Sequence, residues 1–214
     1  MQLVRLRTLL RNRIHAVLAG HGHDRPAGCW SGPGREWLAS LSLPAVSREV
    51  AGDGLALTGA LEVRVGRLDW EIHQRARRDP RVKVLTQLPG AGPFTALVIL
   101  AEIGDVSRFG PARKLASWAG LTPTVRGSDR VAHYGHISKQ GPAWLRWVLC
   151  EAAQNAKRSP QFAASYQAIA RRRGKKIATT AVARKLLTRA WHLLTDAELA
   201  VPQPATTPAG KQRR

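Results

Sequence analysis

Ser128 lies in the stretch Thr122-Pro123-Thr124-Val125-Arg126-Gly127-Ser128-Asp129-Arg130, with an arginine two residues away on each side. Two guanidinium groups beside a hydroxyl can hold a phosphate and stabilise the charge that develops on it. Taken alone, a serine in a Gly-rich loop reads first as a turn residue. His133 and His136 follow and offer acid–base chemistry near neutral pH, or simply fill the loop. Ser138 reads as the cap of a helix opening near Pro142. Upstream, Leu88-Pro89-Gly90-Ala91-Gly92-Pro93 has the form of a helix-hairpin-helix turn. There Gly90 and Gly92 would allow a tight turn, and the amides of the next helix could face a phosphate. Such a contact grips the backbone without reading bases. A turn that binds nothing is the plainer alternative.

Between Lys157 and Arg189 the chain has ten Lys or Arg and no acid; Arg171, Arg172, Arg173, Lys175, Lys176, Arg184 and Lys185 form its centre. Solvated helix faces usually mix both signs, so a one-signed stretch reads as a phosphate footprint. Lys139 and Arg146 join the candidate nucleic-acid contacts, with Arg126 and Arg130. Over 214 residues, 34 Lys and Arg face 14 acids, a formal charge of +20. Hydrophobic residues make up 44%, with seven tryptophans, which excludes a disordered basic tail and points to a folded partner of a polyanion. Charge alone does not choose among polyanions.

Cys29 and Cys150 form no CxxC pair, and His21, His23 and Cys29 read as loop residues with no metal site. No bound cofactor is expected. The start of the chain lacks a secretory signal, and no apolar run reaches about 18 residues. The expected location is therefore the cytoplasm, in association with the nucleoid, with no membrane partner.

The elements that must position these residues are mainly helices. Leu3, Leu6, Leu10, Ile14 and Leu18 recur at helical spacing up to Gly20, in a helix that opens almost at Met1, as if no domain precedes it. A loop over 22–34, a short helix around Glu36–Leu38 and a break at Pro44 follow. From Asp53, the series Leu57, Leu61, Val65, Leu68 and Ile72 forms a heptad-like seam, suited to a long helical hairpin or coiled coil over 53–78. Gly54, Gly59 and Gly66 weaken that helix. The organisation expected is a helical linker and coiled-coil segment over 1–80, a compact helical domain over 81–195 opening with the helix-hairpin-helix turn, and a disordered tail over 196–214. Inside the domain, 121–141 reads as a loop or small hairpin, followed by helices near 160–172 and 175–194.

Three blocks carry a resemblance. The first is Leu88-Pro89-Gly90-Ala91-Gly92 with Ala101-Glu102-Ile103-Gly104-Asp105 and Arg108-Phe109. The second is Leu115-Ala116-Ser117-Trp118-Ala119-Gly120-Leu121-Thr122-Pro123. The third is Gly135-His136-Ile137-Ser138-Lys139-Gln140-Gly141 with Leu145-Arg146. In this order they resemble the C-terminal domain of DEDD-type insertion-sequence transposases of the family called IS one-ten, with its IS eleven-eleven branch. The resemblance implies a DNA recombinase, in some members guided by a structured RNA. It implies a nucleophilic serine after the second block, by position Ser128, although Asp129 stands where the family commonly has glycine. It also implies an N-terminal RuvC-like domain whose acids hold Mg²⁺, and no such set of acids stands in this sequence. The reading is a transposase fragment lacking that domain, binding DNA and inactive alone. It would associate with itself or with full-length transposase through the 53–78 helix. The alternatives are a non-catalytic regulator of transposase assemblies and a decayed fragment.

Overall fold

In a computed structural model the chain is mainly α, with nine α-helices and one two-stranded sheet among the described residues. Those are residues 1–199 without Arg25, Ala27, Asp129 and Arg130; the expected tail beyond Leu199 lies outside them. Two compact units divide the chain, Met1–Glu71 and the portion from Ile72 onward.

The first unit holds α1 (Gln2–Gly20), α2 (Gly32–Ser40) and most of α3, which begins at Ala45 and runs to Arg78, its end from Ile72 on belonging to the second unit. Ile14, Leu18, Leu38 and Ala51 form its small core, with Trp30, Trp37 and Leu55 packed around it. A polar clamp backs it: Arg11 and Arg35 both donate to the Glu62 carboxylate. Arg11 also lies over Trp30, 5.1 Å from the ring centre. The heptad-like seam is only partly buried along α3, with Leu61, Val65 and Ile72 half-buried. Leu57 and Leu68 are about half exposed, at 55% and 48%, while Ala51, Gly54 and Thr58 are buried. The small residues face in because α1 approaches closely. A Cβ on Gly54 would come within 3.0 Å of Ile14 Cγ1. Packing thereby overrides the weak helix propensity of glycine.

The second unit adds α4 (Pro80–Leu85), α5 (Pro93–Ile103), a 3-10 turn (Val106–Arg108), α6 (Ala112–Trp118), β1 (Pro123–Ser128), β2 (Val131–Ile137), α7 (Ala143–Ala156), α8 (Pro160–Arg173) and α9 (Lys175–Leu199). Helix α9 is the central strut, against which α4, α6, α7 and α8 pack. Its Val182, Ala183, Leu186, Leu187, Ala190 and Leu194 are buried, and it continues past Asp196, where the sequence pointed to a tail. Helix α5 is apolar almost all round, buries Ala96, Ile99, Leu100 and Ile103, and lies on α7. Asp79 caps α4, accepting from the Arg81 amide, which leaves α4 defined at its start although it is only six residues long.

The strands β1 and β2 pair antiparallel, Val125 opposite Tyr134, Arg126 opposite His133, and Ser128 opposite Val131. The register shifts between Pro123 and Val125, a bulge that bends the ribbon near its base. Gly135 leaves room there for the Thr124 hydroxyl, since a Cβ would fall 2.5 Å from its Oγ1 unless that side chain turned away. No described helix is long and apolar enough to cross a membrane.

Candidate nucleic-acid interface

The segment between α6 and α7 folds as a hairpin because both of its ends are pinned to the helical body. Leu121 is buried and Ile137 is partly buried against the core. The Ser138 amide donates to Thr122 O at 2.9 Å and the Lys139 amide to Gly120 O at 3.2 Å. Ser138 is thus part of the hairpin base; the N-cap of α7 is Pro142, with no side-chain cap. Ser128 is the last residue of β1, at the end of the ribbon away from the body. Arg126 sits two residues back along the same strand, and Arg130 lies outside the described residues. His133, Tyr134 and His136 are exposed on β2. Lys139 is exposed and has a left-handed backbone, φ 55°, a conformation that L side chains adopt at a cost.

Arg146 stands apart from the other cations. It is half-buried, and its Nη1 lies within hydrogen-bond distance of the carbonyls of Ala119, Gln140, Gly141 and Pro142, at 3.1, 2.6, 2.9 and 3.3 Å. Gly90 and Gly92, two positions apart in sequence, differ likewise. Gly90 has φ +79°, and a Cβ there would lie 2.3 Å from Ala152 O of α7, so close packing accounts for it. Gly92 is the exposed N-cap of α5 with open space around it.

At the turn between α8 and α9, Arg171, Arg172, Arg173, Lys175 and Lys176 are all exposed. The three arginines occupy the last turn of α8, where the helix dipole favours cations. Lys175 and Lys176 occupy the first turn of α9, where it disfavours them. Further along, Lys185 bonds Ser165 Oγ and Arg184 is half-buried. Arg108 entered the sequence reading only as part of the first block, not as a candidate contact. It is exposed and held over both Phe109 and Trp118, 4.7 and 5.1 Å from their ring centres, a pairing set by a fold contact between separate elements. Similarly, Arg75, Arg78 and Arg81 line an open cleft of about 570 Å³ with Val84 and Ala197.

The described acids are engaged by arginines and backbone caps or stand apart from one another. Among the described residues no three His, Cys, Asp or Glu side chains gather. Glu62 is held by Arg11 and Arg35, and Glu71 by Arg67. Hydrogen bonds from Arg81 hold the Asp79 carboxyl below its ordinary range, and those from Ser107 do the same for Asp105. Burial pushes the Cys150 thiol up, which leaves it a poor nucleophile.

Comparison with known proteins bears on the same segment. Residues 82–167 match the family described as Transposase IS116/IS110/IS902. The chain is 29% identical over 203 residues to a "Probable family 20 transposase" of Pseudomonas aeruginosa, covering 90% of this chain and 60% of that protein. It is 32% identical over 152 residues to the 44.8 kDa protein of insertion element IS116 from Streptomyces clavuligerus, covering 69% and 38%. To the transposase for insertion sequence element IS1111A of Coxiella burnetii it is 26% identical over 216 residues, covering 92% and 57%. The chain spans less than two thirds of each of these relatives.

Proposed function

Residues 82–167 place this chain in the IS116/IS110/IS902 transposase family, and from that premise we propose that it is the DNA-engaging, serine-bearing part of a transposase. The observation that carries the reading is that the matched segment contains the whole β1–β2 hairpin, with Ser128 at its end. In this reading Ser128 Oγ attacks a DNA phosphorus, and a new P–O bond forms as the bond to the leaving DNA hydroxyl breaks. The serine proton passes to a base, and His133, opposite Arg126 in the register, is the candidate. The leaving oxygen takes up a proton. Arg126 and Arg130 neutralise the phosphate. Lys139, the amides opening α5 after Gly92, and the cations at 171–176 hold the flanking backbone.

The Mg²⁺-binding acids that the family implies would come from outside these 214 residues, and strand joining depends on their being supplied. The test is a DNA-joining assay in which a full-length relative provides the acids, comparing the chain with Ser128→Ala. Loss of a covalent protein–DNA adduct in the variant supports the reading; equal adduct in both sinks it. Binding of duplex DNA and of structured RNA across a salt series tests the polyanion partner separately.

A second reading draws on α3. Leu57, Val63, Leu68 and Trp70 are exposed, as suits a helix that pairs with a second copy or with a full-length transposase. On that basis the chain would regulate assemblies without chemistry of its own, and Ser128→Ala would leave its inhibition of a full-length relative unchanged.

A further inference from the structure

The hairpin leaves the helical body between Gly120 and Gly141, and the backbones of its two roots cross there almost in contact. A Cβ on Gly120 would lie 2.1 Å from Gln140 O, and one on Gly141 would lie 2.0 Å from Trp118 O. Beyond this crossing β1 and β2 pack chiefly on each other, with Ile137 at the base of β2 resting against the core. The direction of the ribbon is therefore set at its roots.

The roots are joined by one side chain. Ala119 O belongs to the end of α6, while Gln140, Gly141 and Pro142 O belong to the return into α7, and all four surround Arg146 Nη1. Four carbonyl dipoles converging on one point repel one another unless a cation sits among them. A guanidinium suits this role because it is charged at every accessible pH and its donors are held in a rigid plane. The ribbon beyond is roughly 20 Å long at about 3.3 Å per residue. A tilt of roughly 10° at the root would move its end by about 3 Å, beyond the tolerance of a near-attack geometry.

We propose that Arg146 is a positioning residue: it locks the two roots of the hairpin together and so fixes where Ser128 meets a DNA phosphate, without contacting that phosphate itself. This rests on the serine-bearing reading above, and its test does not depend on that reading's success.

The full chain is compared with Arg146→Met and Arg146→Lys. Amide hydrogen exchange at Ser138 and Lys139 reports the root directly, because those amides bond across it. In Arg146→Met their exchange should rise at least about tenfold while the amides of α8 and α9 keep their protection; Arg146→Lys, retaining charge and donors, should recover part of it. Duplex DNA affinity should change less than about twofold, with the same salt slope. The Ser128-dependent adduct should fall about a hundredfold. Unchanged exchange at the root overturns the proposal, as does a DNA affinity that drops with the salt slope reduced by about 0.9, the mark of a lost phosphate contact.

If Arg146→Met does not fold, the wild-type chain still decides. The Arg146 guanidinium protons should exchange slowly and keep their nitrogen shifts when duplex DNA is added. Fast exchange or a large shift on binding would refute the clamp. Should no Ser128-dependent adduct form in any variant, the nucleophile assignment fails while the exchange and binding results still judge Arg146.

Discussion

Gly120, Gly141 and Gly92 are alike in the sequence and unlike in the fold. Gly141 has φ +73° and the Trp118 carbonyl where a Cβ would go, whereas Gly92 has φ −90° and empty space. Left-handed strain and the clash together predict that Gly141→Ala costs about 2–4 kcal/mol. Gly92→Ala should cost less than about 1 kcal/mol, the loss of a modest N-cap. Urea unfolding of both variants checks this, and equal midpoints would show that the crossing is not as tight as the structure has it. At the same scale, the cations divide by what surrounds them. Arg171, Arg172 and Arg173 face solvent, Arg146 faces four carbonyls, and Arg108 is stacked on two rings. Nothing in a run of letters separates these three states.

The elements hold their ends by different means, and α4 shows the pH consequence. Its Asp79 cap accepts from the Arg81 amide and side chain, which holds the carboxyl below its ordinary range. A folded-state value below the unfolded one, near 3.9, means the cap contributes fully above that pH. The contribution is lost as pH falls through the lower folded value. Asp79→Ala should therefore cost about 1 kcal/mol at pH 7, and the gap from wild type should close at an acid pH below the lowered folded value. Thermal unfolding at both pH values tests it; a gap that persists in acid would refute a charged cap.

The turn between α8 and α9 carries the second element-scale expectation. Replacing Arg171, Arg172, Arg173, Lys175 and Lys176 by Gln should reduce the salt slope of DNA binding by about 0.9 for each phosphate contact removed. Stability should hold or rise, because Lys175 and Lys176 stand at the wrong end of the α9 dipole. An unchanged slope would move the footprint elsewhere, with the Arg75 and Arg78 cleft next to be tried.

Over the whole molecule, charge and helix direction act together. The formal charge is +20, and none of the nine described α-helices has an acid in its first turn. Helix starts already carry partial positive charge, so leaving acids out of them strengthens the field toward an anion. The exposed apolar residues of α3 make a separate expectation. If that helix pairs, Leu57→Glu with Leu68→Glu should lower the sedimentation coefficient of a self-associated chain to that of one copy. The helix content should stay unchanged, since both residues are about half exposed. A wild-type chain that already sediments as one copy at high concentration would leave α3 without a partner of its own kind.

Composition and local period alone determined the basic charge, the mainly helical class, a loop or small hairpin between Leu121 and Gly141, and the blocks that mark the family. Each of these is written within a few turns of chain, because apolar spacing and turn residues act over short separations. Three things were decided only by the tertiary structure. The inward face of α3 is lined by Ala51, Gly54 and Thr58 because α1 comes close, and small residues leave no mark in a hydrophobic count. Gly90 follows from its approach to Ala152, more than sixty residues away. Arg146 differs from the exposed arginines at 171–173 because Ala119, distant in sequence, brings a carbonyl to it across the root of the hairpin. A cation's role depends on which acceptors converge on it, and convergence is a property of the folded chain.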